Sequence, residues 1–250
     1  VRSAPAQAKK GAGAASRGFK ILFYGYLPMI LSGLKVTLSV AFASLVVASA
    51  LGLVGAVAKV YGSGLARGAA TAYTTVVRAL PDLLVMLVVF YGGQIMLNRF
   101  GERVGWGYVD VDPFLAGTST LGFIFGAYLT ETFRGAILSV PAGQIEAAFS
   151  CGLRRRQVLR FILLPQMMRH AIPGLTNNWL VMLKATALVS IIGLDDMVHR
   201  ADLASAATRE PFTFYALIGL IYLSVTTISV VIFQLVERRF SRGVKTLGAT

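Results

Sequence analysis

Beyond residue 25 the chain consists of long apolar runs separated by short connectors that carry most of its charge. Five runs, near residues 29–58, 72–97, 114–133, 174–194 and 212–236, reach the roughly 20 residues that a helix rising 1.5 Å per residue needs to cross a hydrocarbon core about 30 Å thick. They predict an all-α integral membrane protein with five transmembrane helices. The first run spaces Ser32, Gly33, Ser39, Ser44, Ser49, Gly52 and Gly55 along its length. Small residues at such intervals let helix backbones approach closely in a membrane, and Gly92 and Gly93 in the second run suggest the same. Pro81 interrupts that second run, so a kink or short break is expected there. Residues 1–20, rich in Ala, Gly, Ser and Lys, lack the apolar surface to offset ordering entropy and are expected to form a disordered basic tail. The tail is expected to be retained, because the apolar run after it outlasts a signal-peptide core. Residues 21–240 form the expected membrane domain, and 241–250 a polar carboxyl tail.

Composition narrows the function. Of 250 residues 56% are hydrophobic and 14% charged, a membrane composition. The formal net charge of +13 does not point to nucleic acid, because the cations gather at the ends of apolar runs, where they set topology. Arg67, the group from Arg154 to Arg169, and Arg238, Arg239, Arg242 and Lys245 fall on one side. Glu102, Asp110, Asp112, Asp195, Asp196, Asp202 and Glu210 fall on the other. The positive-inside rule then places the amino terminus outside and the carboxyl terminus in the cytoplasm, although Lys9, Lys10, Arg17 and Lys20 oppose this. The single Cys151 excludes an intrachain disulfide, and two histidines far apart give no metal-ligand spacing. No nucleophile and base pair, phosphate loop or HExxH occurs, so no catalytic residue, metal or cofactor is expected in this chain.

The most specific stretch is 146–165, EAAFSCGLRRRQVLRFILLP, in which Glu146, Ala147, Ala148, Gly152, Ile162, Leu164 and Pro165 stand in the spacing E-A-A-x3-G-x9-I-x-L-P. Small alanines suit close helix contact, and Gly152 suits a turn that a Cβ resists. This spacing resembles the signature of permease subunits of bacterial ABC importers. GLKVTLSVAFASLVVASALGL and GAYLTETFRGAILSVPAGQIEAA are similar to helices of polar amino-acid permeases. RALPDLLVMLVVFYGGQIMLN, NNWLVMLKATALVSIIGLDDMV and LVERRFSRGVK resemble more narrowly the Q-type subunits of histidine and lysine/arginine/ornithine importers, with opine importers as close alternatives.

The resemblance implies a type I importer permease fold in the bacterial inner membrane, with a coupling helix within residues 140–165. It also implies a heterodimer with an M-type permease, two copies of a cytoplasmic ATPase that bind ATP and Mg, and a periplasmic substrate-binding protein. Gln144, Glu146, Ala147, Ala148, Gly152, Arg154 and Arg155 would then touch the ATPase, and alternating access would carry histidine, arginine, lysine or ornithine. A secondary transporter or channel without an ATPase and an intramembrane enzyme are the competing classes. The docking signature argues against the first and the lack of a catalytic pair against the second.

Charges inside a span cost about 2.5–3.5 kcal/mol at its centre, so Arg78, Asp82, Glu131 and Lys184 each require a partner or a task. Asp82, after Pro81, is open to two readings: a salt bridge with Arg78, or a carboxylate at a helix break that meets substrate. Glu131 stands three residues before Arg134, a spacing for a helix-surface pair, yet either acid can also hold a ligand ammonium or guanidinium. Arg78 suits a ligand carboxylate. Lys184 is expected to pair within the bundle. Tyr128, Asn177 and Thr186 are candidate neutral hydrogen-bonding groups, and Trp106, Tyr108 and Tyr215 suit an interfacial aromatic belt.

Overall fold

The computed structural model describes residues 25–240; the expected amino-terminal tail and residues 241–250 lie outside them. The first run forms α1 (Leu27–Tyr61), opened by Pro28 in its first turn. Ser63 accepts a hydrogen bond from the Ala66 N–H and starts α2 (Gly64–Ala79). The run expected at 72–97 is two helices. Leu80 is extended (φ −97°, ψ 150°), as a residue before proline tends to be, and α3 (Asp82–Val104) starts after Pro81. Asp112 caps α4 (Pro113–Leu138) through the Leu115 N–H at 3.0 Å.

After a short helix α5 (Ala142–Ser150), the chain turns through α6 (Arg155–Val158) and a wide π-helical turn (Leu159–Leu163) into α7 (Leu164–Ala185), continued by a tight 3-10 stretch (Thr186–Ile192). The connector 195–211, expected to be loop, holds a further helix, α8 (Met197–Thr208). Its cap is Asp196, whose Oδ1 accepts from the His199 N–H at 2.9 Å, and α9 (Pro211–Phe240) ends the described chain.

The core is built around α4, which buries Leu121, Ile124, Phe125 and Leu129 and packs most extensively on α1. Close approach explains the small residues. A Cβ at Gly52 would lie 2.7 Å from Leu129, one at Gly55 2.4 Å from Thr130, and one at Gly122 2.5 Å from Val47. Of the spaced serines in α1, Ser44 is buried and donates to the Thr118 carbonyl, whereas Ser32 and Ser39 are exposed. Gly92 and Gly93 meet nothing within 4 Å of an added Cβ, so close packing is not their role in this subunit.

A second cluster, with Ile30, Met197, Ala201, Phe214 and Ile218, joins α8 to the start of α1 and of α9. There an added Cβ at Gly33 would lie 2.8 Å from the Asp196 backbone. Arg200 crosses to the Met29 carbonyl (3.1 Å) and Ser32, and pairs with Asp195 (2.8 Å). That contact holds the Asp195 carboxyl below its usual range, while burial pushes the Asp196 carboxyl up.

Among the described residues four segments are both long and apolar enough to cross a membrane: Leu27–Tyr61, Asp82–Val104, Arg155–Ile192 and Pro211–Phe240. Helix α4 has the length, at 26 residues, but its four glycines and four threonines lower its apolar content.

Candidate functional site

Two polar constructions stand out, one at the α5 turn and one between α1, α2 and α4. The first is shaped by its backbone. Helix α5 ends in a left-handed turn at Gly152 (φ +79°), where the Leu153 N–H reaches the Ala148 carbonyl (3.1 Å) and the Gly152 N–H reaches that of Phe149 (2.9 Å). These paired bonds form a Schellman closure, which places glycine at its left-handed position without the strain a Cβ would bring. The Arg154 N–H then donates to Gln157 Oε1 at 2.8 Å and opens α6.

Ala148, Val158 and Leu163 are buried and fasten the turn. Gln144, Glu146, Ala147, Phe149, Arg154, Arg155 and Arg156 are exposed. The expected contact residues therefore lie together on a preformed knob, except Ala148, which anchors it from beneath.

The second construction is charged. Lys59, at the end of α1, is held by Thr74 Oγ1 (2.6 Å) and pairs with Glu131. The other Glu131 oxygen accepts from Arg134 Nε at 2.8 Å. The helix-surface pair legible in the sequence is therefore present, and Lys59 is the partner that the sequence reading missed. Its only signal was a lone lysine in the last turn of an apolar helix. One cavity of about 380 Å³ is lined by Lys59, Thr74, Thr75, Arg78, Tyr128 and Glu131, and a second of about 240 Å³ by Lys59, Arg67, Thr71, Glu131 and Arg134.

Arg78 and Asp82 form no ion pair. Instead the Arg78 guanidinium lies 5.4 Å from the Tyr128 ring centroid, and the Tyr128 hydroxyl donates to Asp82 Oδ1 at 3.4 Å. Tyr128 thus bridges the two groups expected to bind substrate, with Glu131 on the same helix. Lys184 departs from expectation. It is exposed and has no ion pair among the described residues, because its face of α7 turns away from the bundle. Asn177 shares that face, while Thr186 is buried and donates to the Leu183 carbonyl. Trp106, Tyr108 and Tyr215 are exposed, as a belt requires.

Comparison with known proteins matches residues 51–242 to the family described as binding-protein-dependent transport system inner membrane component. The chain is 50% identical over 224 residues to the histidine/lysine/arginine/ornithine transport system permease protein HisQ of Escherichia coli, covering 90% of this chain and 98% of that protein. It is 37% identical over 217 residues to the octopine transport system permease protein OccQ of Rhizobium radiobacter, covering 86% and 92%. Among solved structures, an amino acid ABC transporter crystallised with histidines superposes with a TM-score of 0.72 at 32% identity, over 86% of this chain and 95% of that one. The methionine ABC transporter MetNI, at 14% identity and a TM-score of 0.67 over 88% and 99%, shares the fold.

Proposed function

Because this chain belongs to the binding-protein-dependent transport system inner membrane components, we propose that it is the permease subunit of an ATP-driven importer of histidine, lysine, arginine and ornithine. It is an inner-membrane, multi-pass component of a multi-subunit ABC transporter, and ATP and Mg are bound by the partner ATPase. The observation that carries this reading is the exposed, Schellman-closed α5 knob, joined to 50% identity with HisQ along nearly its whole length. A knob with buried feet and an exposed polar crown suits a groove on the ATPase. ATP-driven closure would move it, and the Arg155–Ile192 rod behind it would carry the motion across the bilayer.

Helix α4 completes five spans in this reading. Its 26 residues are about 39 Å long, and surrounding helices shield its glycines and threonines from lipid. The basic α5–α7 turn lies inside and the acidic connectors outside. His170, Asn177 and Lys184, exposed at seven-residue intervals on α7, suit contact with an M-type partner subunit, since a bare ammonium facing hydrocarbon costs about 2.5–3.5 kcal/mol. The binding protein would deliver solute to the α8 side.

For the solute, the larger cavity supplies Arg78 for a carboxylate, and Asp82 and Glu131 for a side-chain cation, with Tyr128 between them. A ligand cation that reaches Glu131 displaces Lys59, which keeps Thr74 as its second partner. The test is uptake by the complete complex in proteoliposomes loaded with ATP. Arginine and lysine uptake should fall in Glu131→Gln and Asp82→Asn, with histidine, often neutral near pH 7, less affected. Equal losses for all three solutes would make these acids structural. A preference for octopine over every basic amino acid would overturn the substrate assignment.

A further inference from the structure

The smaller cavity has a charge surplus that solute binding does not explain. Three cations, Lys59, Arg67 and Arg134, line it against one carboxylate, Glu131. Lys59 is only 9% exposed and directed to Glu131 and Thr74, so its charge is spent. Glu131 is also spent, with one oxygen on Lys59 and the other on Arg134 Nε. The terminal nitrogens of Arg134, itself 41% exposed, and the whole Arg67 guanidinium have no acidic partner among the described residues. The Thr71 hydroxyl donates to the Arg67 carbonyl at 2.8 Å, which leaves the two guanidiniums as the donors facing the cavity. A cationic amino acid is repelled by this arrangement. An anion with several acceptor oxygens completes it.

We propose that this crevice seats the phosphate of an anionic membrane lipid. The placement rests on the orientation given under Proposed function, which puts the α1–α2 corner and the end of α4 in the cytoplasm. Arg67 lies three residues into α2, and Arg134 four residues before the end of α4. Both therefore sit within about 6 Å of helix ends, the depth of lipid headgroups. Basic clefts between membrane helices at that depth suit lipid phosphates. Exposed apolar side chains stand near the same two arginines in sequence: Leu65 (86% exposed) two residues before Arg67, Tyr61 across the α1–α2 corner from it, and Leu138 one turn beyond Arg134. A lipid uses both features, its headgroup on the guanidiniums and its chains along these side chains, whereas a free phosphate uses only the first.

The test uses the complete transporter complex in nanodiscs of phosphatidylcholine with a minor share of phosphatidylglycerol, released for native mass spectrometry. Wild type should retain phosphatidylglycerol in preference to phosphatidylcholine. Arg67→Gln and Arg134→Gln should each lower that retention by about fivefold, the worth of one cation near an anionic surface. Arg238→Gln, at the far end of α9, should leave it unchanged. Arg67 has no side-chain hydrogen bond or ion pair among the described residues to lose, so its variant remains informative if Arg134→Gln fails to assemble. Unchanged retention in Arg67→Gln, or a phosphate adduct replacing the lipid adduct, overturns the seat. Loss of the ATPase from Arg67→Gln with lipid retention intact also overturns it, by identifying a protein-contacting arginine. Impermeant labelling of Arg155→Cys from outside the cell would instead refute the orientation, a separate failure from lipid retention.

Discussion

Helices α4 and α9 answer opposite demands. Helix α9 is strongly apolar, yet little of it is buried. It exposes Leu220, Leu223, Ile228, Val231, Ile232 and Leu235. Helix α4 does not qualify as a span by composition, yet it forms the centre of the fold, with glycines that admit Val47 and Val189 and an acid that holds two cations. Lipid is as apolar as leucine, so hydropathy does not separate a helix that faces lipid from one that packs on its neighbours: α1 is as apolar as α9, yet far more of it is buried. Close contact between helices is reported by small residues instead.

The largest effect that tests this contrast is at the ion pair on α4. Lys59→Ala leaves Glu131 short of its better-buried partner and should cost about 3 kcal/mol, read as thermal unfolding of the assembled complex. Adding Glu131→Gln should restore much of it, and a double variant no better than the single one would refute a charge-burial cost. Next come the glycines. Gly55→Leu must displace Thr130, at about 1–3 kcal/mol for an overpacked site, whereas Gly219→Leu on α9 meets open space and should leave assembly intact. Equal yields of monodisperse protein from these two variants would break the comparison.

A smaller gain is expected from Thr118→Val, because the Thr118 hydroxyl is buried without a hydrogen-bond partner. Removing it should add up to about 1 kcal/mol, and a loss would show that the hydroxyl is bonded in the membrane. The smallest effect lies outside both helices. Burial raises the Asp196 carboxyl above its ordinary value of 3.8, so the folded state favours the proton and loses that contribution as pH climbs through the raised value. Asp196→Asn retains a capping oxygen and removes the charge. It should match wild type below about pH 4 and exceed it slightly at neutral pH, and a lower melting temperature at pH 7 would refute the account.

Local chemistry was legible in the sequence. The small residues Gly52 and Gly55, the break at Pro81, the Glu131–Arg134 spacing and the left-handed turn at Gly152 all depend on near neighbours or on backbone sterics, and the structure has each. Contacts between distant segments were not legible. Lys59 and Glu131 are 72 positions apart, and only the crossing of α1 on α4 joins them. Lys184 was expected to pair inside the bundle, but periodicity alone does not say which face of α7 turns outward. Helix α8 was missed because its connector was read for charge, although Asp196 is a good capping residue just before it. Whether Asp82, Glu131, Arg78 and Tyr128 meet a solute depends on a second subunit and a ligand, which one chain does not encode.

The contact between Gly33 and the backbone at Asp196 also bears on timing. The first helix finds that neighbour about 160 residues later in the chain, which at roughly 5–20 residues per second of synthesis is a wait on the order of 10–30 s. During that interval α1 stands in the bilayer with its small-residue stripe uncovered, first until α4 emerges and then until α8 closes over its first turns. Its strong hydropathy fits this early solitude: the helix must be stable alone in lipid before it has anything to pack against.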